Sequence, residues 1–347
     1  MKVLRNWRLL GTASAALVVA AVATLLTVGG ATARIAHRAS GTTLFMLPKF
    51  TGIPPFTQAD QGAAKVAKAY GYTLKYGGPT TGSATQQVNF INNAAAAGDK
   101  GLFISADNPA AVSPALNRAR AHGMKVVSFD SDVEPNARTV YVEGTSAASI
   151  AQTELNMLGS QIHYKGSFVI LSAQATDSNQ VLWNNVLKQD LKRDKKYKHM
   201  KLLAIVNPPN DGTPAAVQYT QSIIQKYPTM KGIIAPTTVA VAAAAQVVKQ
   251  QHLCSKYVVT GLGDPQQMKP YVTSGCVKQF ALWSFSREGE VAMCTMHYVL
   301  IGKVTGKEGQ TYSCPDGLGK FKVGPKGTVK AGNAEVFSKK NLKAFTF

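Results

Sequence analysis

The 347-residue sequence has few acidic residues and few cysteines. It contains 18 Asp and Glu residues against 38 Lys and Arg residues, which gives a net charge of +20. The four cysteines form no C-x-x-C pair, and neither His252 nor His297 completes a zinc-ligand spacing. The sequence also lacks a phosphate-binding loop and a nucleophile elbow. From these absences we predict a protein with no cofactor and no enzymatic activity.

The positive charge is spread along the chain rather than concentrated in one segment. The densest run of lysines, residues 188–201, also contains Asp190 and Asp194. Mixed charges of this kind are typical of a solvated helix and turn. We therefore predict no nucleic-acid partner.

The first 33 residues read as a secretory signal peptide. A short basic start is followed by an apolar run, Leu9–Gly30, and by the small-x-small motif Ala31-Thr32-Ala33. Because the apolar run reaches about 20 residues, enough to span a bilayer, an uncleaved membrane anchor is the alternative. No cysteine follows the leader, so a lipoprotein anchor is not expected. Either interpretation places the remaining chain outside the cytoplasm, and we predict a periplasmic protein.

The four cysteines all lie in the last third of the chain. An even number of cysteines in an exported protein favours disulfides, and four cysteines allow three pairings. Cys254 and Cys276 each precede a strand-like run, and neighbouring strands would bring them together. We therefore predict the pairs Cys254–Cys276 and Cys294–Cys314, with four buried free thiols as the alternative.

Short apolar runs alternate with amphipathic segments from residue 43 onward. The predicted strands are 43–47, 72–76, 101–105, 125–129, 167–171, 201–206, 232–235, 257–260 and 277–280. The predicted helices are 57–70, 85–97, 109–122, 146–162, 179–192, 214–227 and 239–251. Apolar strands separated by helices are typical of parallel sheets. The pattern predicts an α/β fold with two similar doubly wound lobes.

Polar and aromatic residues directly follow several of these strands. Ligands of open α/β sheets bind at the carboxyl ends of the strands, so these residues are candidates for a binding site. The candidates are Lys49, Phe56, Asp130, Asp177, Asp264 and Trp283. Carboxylates accept hydrogen bonds from several hydroxyl groups, and aromatic faces cover the apolar side of a sugar ring. Each candidate has a structural alternative: a helix cap or turn for the aspartates, the core for the aromatic residues and solvated surface for Lys49.

At these strand ends the chain resembles a known family. The resembling segments are Met46-Leu47-Pro48-Lys49, Tyr76-Gly77-Gly78-Pro79-Thr80, Ser128-Phe129-Asp130-Ser131-Asp132, Ile233-Ile234-Ala235-Pro236, Met268-Lys269-Pro270-Tyr271-Val272 and Ala281-Leu282-Trp283. Together they are similar to type I periplasmic sugar-binding proteins of ABC importers, closest to the subgroup that binds autoinducer-2 or rhamnose. The resemblance covers about residues 42–347.

The resemblance implies two lobes joined by a three-segment hinge. The implied hinge strands lie near Glu143-Gly144, Trp283-Ser284 and 309–312. The N-terminal lobe would then comprise residues 41–143 and 284–310, and the C-terminal lobe residues 144–283 and 311–347.

The resemblance also implies a ligand-binding set. The lysine and the first aspartate of the autoinducer-2 pattern fall on Lys49 and Asp130, and its Asp-Gln pair falls on Asp177 and Ser178. Its Pro-x-Ala motif falls on Pro236 and Thr238. Serine in place of glutamine and threonine in place of alanine depart from the pattern. Because a pocket built from hydrogen bonds discriminates strongly when one is lost, these departures argue against autoinducer-2 as the ligand.

We therefore expect a monomeric binding protein that presents a small sugar-like ligand to a membrane ABC permease. A pentose, a deoxyhexose or a polyol is favoured over autoinducer-2. The rival interpretations are a binding protein that feeds a membrane sensor, a regulator with the same lobes and a glycosidase that uses Asp130 and Asp177. A regulator would need a helix-turn-helix segment where this chain has a leader.

Overall fold

The computed structural model describes residues 41–342, so the predicted signal peptide lies outside the described residues. The first elements alternate as predicted. They are β1 (Thr43–Leu47), α1 (Pro54–Tyr70), β2 (Thr73–Tyr76), α2 (Ala84–Ala96), β3 (Gly101–Ile104), α3 (Pro109–Ala121), β4 (Lys125–Phe129) and β5 (Val140–Glu143). Helix α1 begins three residues earlier than predicted because the fixed φ of proline suits the first helical turn. It ends at Gly71, which adopts φ +76°.

A second alternating series follows. It comprises α4 (Ala147–Gln161), β6 (Lys165–Leu171), α5 (Ser178–Arg193), β7 (His199–Val206), α6 (Thr213–Lys226), β8 (Gly232–Ala235), α7 (Thr238–Gln250), β9 (Val258–Gly261), α8 (Pro265–Thr273) and β10 (Gln279–Leu282). Strand β10 begins two residues later than predicted. The reason is that the Val277 N–H donates to the Tyr271 carbonyl at 3.1 Å, which closes the loop after α8.

The last part of the chain does not continue the alternation. Residues 284–342 form one α-helix and four short strands: α9 (Phe285–Leu300), β11 (Thr311–Cys314), β12 (Gly319–Lys322), β13 (Thr328–Lys330) and β14 (Glu335–Ser338). Strands β11 and β12 pair with each other as an antiparallel hairpin. The sequence analysis did not predict these strands.

The strands form two main sheets. The first sheet has the order β13-β5-β4-β3-β1-β2 and all its pairs are parallel. The second has the order β7-β6-β8-β9, also parallel. A single bridge between Leu262 and Ala281 joins β10 to β9, and β14 lies antiparallel to β10. We call the first sheet with α1–α3 and α9 the first lobe, and the second sheet with α4–α8, β10 and β14 the second lobe.

The third passage of the chain between the lobes differs from the predicted one. Strand β13 pairs with β5 through Val329 and Val142, so it belongs to the first sheet. Strand β14 pairs with β10 of the second lobe. The chain therefore passes between Lys330 and Glu335, and not at residues 309–312 as predicted. Residues 311–330 lie with the first lobe because the β13 pairing and a disulfide to α9 hold them there.

Both disulfides form in the predicted pairing. Cys254 is joined to Cys276, and Cys294 is joined to Cys314. The first pair links the segments that precede β9 and β10, which lie side by side in the second lobe. The second pair ties the β11–β12 hairpin to α9 of the first lobe.

Helices α1 and α9 pack against each other at unusually short range. A Cβ atom at Gly62 would lie 2.0 Å from the carbonyl oxygen of Ser286, and one at Gly289 would lie 1.9 Å from that of Ala59. Only glycine allows this approach at both positions. The contact holds α9 against the first lobe, where Glu288 accepts a hydrogen bond from Asp130 at the end of β4.

Candidate ligand-binding site

A cavity lies between the carboxyl ends of the two parallel sheets. Its polar lining consists of Lys49, Asp130, Asn179, Gln180, Asp211, Thr237 and Thr238. Its apolar lining consists of Ile53, Pro55, Phe56, Trp183, Pro236, Leu262, Leu282, Trp283 and Phe285. A few convergent polar groups in an apolar wall are typical of a small-molecule site. Six of the nine candidates from the sequence line this cavity: Lys49, Phe56, Asp130, Pro236, Thr238 and Trp283.

Lys49 follows β1 and reaches across the cleft. Its Nζ atom lies 3.0 Å from Asp177 Oδ2 and 3.3 Å from Asn179 Oδ1 in the second lobe. It also lies 3.9 Å from Asp130 Oδ2 in its own lobe. Burial alone would lower the pKa of Lys49, but the charges of Asp177, Asp130 and Asp211 outweigh burial and raise it. Lys49 is therefore a buried, protonated lysine, and the solvated-surface interpretation does not describe it.

Asp130 follows β4 and is held by three partners within its own lobe and by the Asn179 amide of the second lobe, which donates to Asp130 Oδ1 at 3.2 Å. Its φ of +54° lies in the left-handed region, which aspartate tolerates better than most residues. The Asp130 N–H donates to Glu288 Oε1 at 2.7 Å, and its carbonyl accepts from the Tyr141 hydroxyl at 2.7 Å. The Ser105 hydroxyl donates to Asp130 Oδ2 at 2.6 Å. Asp130 thus begins no helix, and its carboxylate is fixed in place facing the cavity.

Asp177 and Ser178 were predicted to bind ligand, but neither lines the cavity in this structure. Asp177 stands at the N-cap of α5, and its side chain makes no capping hydrogen bond because it pairs with Lys49 instead. The Ser178 hydroxyl donates to the Asp132 carbonyl at 3.0 Å and lies 3.1 Å from the Ser131 hydroxyl. Both residues therefore join the two lobes.

Asp264, also a predicted ligand-binding residue, lies outside the cavity lining. It is the N-cap of α8, where Oδ1 accepts from the N–H groups of Gln266 and Gln267 at 3.0 and 3.1 Å. Its Oδ2 accepts from Gln58 Nε2 of α1 at 3.1 Å. The helix-start interpretation therefore describes Asp264, with a second contact that joins the lobes.

Aromatic rings form the apolar side of the cavity. Trp283 stacks on Phe285 with ring centroids 4.9 Å apart and meets Trp183 edge-on at 5.8 Å. The Trp283 indole N–H donates to Glu288 Oε2 at 2.6 Å, so one glutamate positions both Trp283 and Asp130. A Cβ atom at residue 144 would lie 1.9 Å from Trp283 Nε1, which explains the glycine there.

The loop after β8 supplies three lining residues, Pro236, Thr237 and Thr238. The Thr237 hydroxyl accepts from the Ala240 N–H at 2.9 Å and so caps α7. Thr238, the first residue of α7, lines the cavity beside it. Gln180 Nε2 donates to the Pro236 carbonyl at 2.8 Å and holds this loop in place.

The sequence analysis missed six polar or aromatic lining residues. They are Asn179, Gln180, Trp183, Asp211, Thr237 and Phe285. The strand-end rule that found Asp130 would also have found Asp211, because Asp211 follows β7. Asn179, Gln180 and Trp183 lie in the first two turns of α5, and helical spacing places Asn179 and Trp183 on one face.

The site contains more carboxylates than cations. Burial raises the pKa of Asp211 to about 7, with a further contribution from the charge of Asp177. Burial also raises the pKa of Asp107, which follows β3, to about 7. The pKa of Asp177 is raised by burial as well, although Lys49 opposes the shift. A site of this kind favours ligands that donate hydrogen bonds.

Residues 41–342 contain no cluster of three or more acidic, histidine or cysteine side chains placed to hold a metal ion. Within the same residues, no helix has both the length and the apolar character needed to cross a membrane.

The chain is similar to known binding proteins over most of its length. The model of a family described as a periplasmic binding protein domain matches residues 44–304. A sugar ABC transporter protein from Actinomyces odontolyticus shares 32% identity, with 88% of this chain and 98% of that chain covered and a TM-score of 0.71. An ABC transporter solute-binding protein from Clostridium phytofermentas, solved with L-rhamnose, shares 28% identity. The match covers 88% of this chain and all of that chain, with a TM-score of 0.84.

LsrB from Clostridium saccharobutylicum, solved with autoinducer-2, has the same fold. It shares 24% identity over 88% of this chain and all of its own, with a TM-score of 0.82. Two parallel-sheet lobes with a cleft at their strand ends form the type I arrangement that the sequence predicted. The matched family consists of binding proteins, in agreement with the prediction of a protein without catalytic function. This chain belongs to the periplasmic binding protein family.

Proposed function

We propose that this protein is the extracytoplasmic solute-binding component of an ABC importer. It captures a small sugar or sugar-like molecule between its lobes and presents it to a membrane permease. The observation that carries this proposal is the cavity itself, where Lys49, Asp130 and Asp211 are the charged lining groups and where Trp283 and Phe56 contribute aromatic rings. The sugar-related solved structures support the same ligand class.

The ligand that suits this cavity is small, neutral and rich in hydroxyl groups. Asp130 and Asp211 accept hydrogen bonds from hydroxyls, while protonated Lys49 donates to a ring or carbonyl oxygen. The aromatic rings cover the apolar face of a sugar. A pentose, a deoxyhexose such as L-rhamnose, or a polyol meets these requirements.

Autoinducer-2 remains the second candidate. Lys49, Asp130, Asp177 and Pro236 follow the pattern of proteins that bind it, while Ser178 and Thr238 depart from that pattern. Of the two departures only Thr238 lines the cavity. The difference that bears directly on ligand choice is therefore the threonine, which adds a methyl group and a hydroxyl.

We further propose that the protein works in the periplasm as a monomer. Disulfides persist in oxidising compartments, and the two disulfides here support a location outside the cytoplasm. Ligand binding would favour the closed arrangement of the lobes, with motion at the three chain passages near residues 143–144, 283–284 and 331–334.

A thermal-shift screen tests the proposed function. The panel contains L-rhamnose, D-arabinose, xylitol and autoinducer-2, and calorimetry gives the affinity of each positive compound. A ligand present at about 100 times its Kd stabilises the native state by about 2.7 kcal/mol. We expect at least one panel member to raise the melting temperature of the wild-type protein. Asp130→Asn should reduce the shift strongly, whereas the exposed-surface variant Lys188→Gln should keep it. Failure of every panel member would overturn the proposed function.

A further inference from the structure

Asp211 is a cavity-lining carboxylate that was not among the candidates from the sequence. It lies between β7 and α6 and lines the cavity together with Thr237 and Thr238. Among residues 41–342, no lysine, arginine or histidine nitrogen lies within 4.0 Å of its carboxylate. Lys49, the cation of the cavity lining, is engaged by Asp177 at 3.0 Å. The charge of Asp211 is therefore not balanced by an ion pair with a described residue.

One oxygen of Asp211 is fixed by the loop beside it. Thr237 accepts the Ala240 N–H at 2.9 Å and donates its own proton to Asp211 Oδ1 at 3.1 Å. Because the hydroxyl has only one proton, this arrangement requires Asp211 to act as an acceptor at Oδ1. The described residues provide no donor to the second oxygen, Oδ2.

The side chain of Asp211 is only partly buried, so its second oxygen is open to a donor from outside the protein. When a ligand displaces solvent from the cavity, a charged oxygen left without a hydrogen bond is unfavourable, and the negative charge of Asp177 adds to the difficulty. A hydroxyl or amine group of a bound ligand would satisfy the second oxygen. A ligand that lacks a donor at this point would leave the carboxylate desolvated and unpaired, and so would bind weakly.

We propose that Asp211 is a further ligand-binding residue, which accepts a hydrogen bond from a ligand hydroxyl or amine through the oxygen that Thr237 leaves free. It thereby selects ligands that have a donor at the second-lobe edge of the cavity. Thr237 acts as its positioning residue. This inference rests on the proposed function, since it concerns the same cavity.

The proposal gives a direction for the pH dependence of binding. In the free protein the pKa of Asp211 is about 7, and a donated hydrogen bond from the ligand would lower it in the complex. Protonation below pH 7 would then compete with ligand binding, so the affinity should fall as the pH falls from 8 to 6. The charged groups that act on Asp211 are Lys49, Asp130 and Asp177. Asp107 has a similar pKa but does not line the cavity, which makes it the matched control.

The test measures the affinity of Asp211→Asn, Asp211→Ala and Asp107→Asn by calorimetry between pH 6 and 8. The probe is L-rhamnose, D-arabinose or xylitol, whichever the wild-type protein binds most tightly. We expect Asp211→Ala to weaken binding roughly 10- to 100-fold at pH 8. The pH dependence should disappear in both Asp211 variants and persist in Asp107→Asn. Thr237→Val should weaken binding by a smaller factor, because Asp211 remains present but is less well oriented.

Thermal unfolding without ligand shows whether each variant is folded, and the isosteric Asp211→Asn variant provides the result if Asp211→Ala is unstable. Affinities within twofold of wild type in both Asp211 variants, with the pH dependence retained, would overturn the assignment of Asp211 alone. If the wild-type protein binds no sugar of the panel, the proposed function fails first, and this inference fails with it.

Discussion

The two walls of the cleft obtain their order from different sources. In the first lobe, Asp130 has three partners of its own lobe, Glu288, Tyr141 and Ser105, and one partner across the cleft, the Asn179 amide at 3.2 Å. In the second lobe, the Asp177 carboxylate finds its hydrogen-bond partner, Lys49, across the cleft. The first wall therefore takes most of its order from its own lobe, whereas the carboxylate of the second wall depends on a charged partner across the cleft.

This difference separates two roles that look alike in the sequence. Both Asp130 and Asp177 are buried aspartates that follow a strand. Asp130 lines the cavity, whereas Asp177 pairs with Lys49, the lysine that reaches across the cleft. The free energy of closure thus depends on Asp177, Ser178 and Asp264, while the fit of the ligand depends on groups that line the cavity.

The largest effect should come from removing Glu288, which supports the first wall. Glu288 Oε1 and Oε2 accept from the Asp130 N–H and the Trp283 indole, and its side chain is fully buried. Glu288→Ala leaves two buried donors without a partner, so we expect the free energy of unfolding to fall by about 3 kcal/mol. Urea unfolding measures this loss.

Glu290→Ala on the same helix is the matched control for Glu288→Ala. Glu290 pairs with Lys65, whose side chain is 63% exposed, and such pairs contribute little to stability. We expect a loss below about 1 kcal/mol for this variant. Equal losses in the two variants would show that Glu288 does not support the first wall as we describe.

The next prediction compares the ligand affinities and the lobe opening of Asp177→Asn and Asp130→Asn. Each should weaken ligand binding by about 2 kcal/mol, because each removes a charge-assisted contact in a desolvated cleft. Asp177→Asn should open the ligand-free protein more than Asp130→Asn. Among residues 41–342, Asp177 forms the buried ion pair between the lobes at 3.0 Å, whereas Asp130 accepts an uncharged amide, that of Asn179, across the cleft at 3.2 Å. Small-angle X-ray scattering of both variants without ligand measures the opening. A larger radius of gyration for Asp130→Asn than for Asp177→Asn would reverse our assignment of the two walls.

The sequence predicted the fold well because most of the fold follows from local patterns. Apolar strands such as β4 and β8 were found with the bounds that the structure has, since continuous burial gives an unbroken apolar run. The last 60 residues were not predicted in the same way. Strands β11 to β14 have four residues or fewer, and their place depends on β13 pairing with β5 far along the chain. No local signal specifies such a pairing.

The candidate site was predicted in position but not in detail. The strand-end rule brought Lys49, Asp130 and Trp283 to the same cavity. The rule could not tell which strand-end side chains face the ligand and which face the other lobe, because that depends on how the lobes meet. Asp264 illustrates the limit, since its sequence context fits a helix cap and a ligand contact equally well.

The smallest expected effect concerns the choice between autoinducer-2 and a sugar. It distinguishes the roles of Ser178 and Thr238, the two residues that depart from the autoinducer-2 pattern. Thr238 lines the cavity, whereas Ser178 bonds to the Asp132 carbonyl of the first lobe at 3.0 Å. Thr238→Ala should therefore improve autoinducer-2 binding by about 1 kcal/mol, the scale expected for one methyl group in an apolar pocket, and should weaken binding of the preferred sugar. Ser178→Gln should weaken both ligands alike, because a longer side chain disturbs the contact between the lobes. Calorimetry on both variants with both ligands distinguishes these outcomes. If Ser178→Gln instead improves autoinducer-2 binding and Thr238→Ala does not, residue 178 contacts the ligand and the division between the two walls must be redrawn.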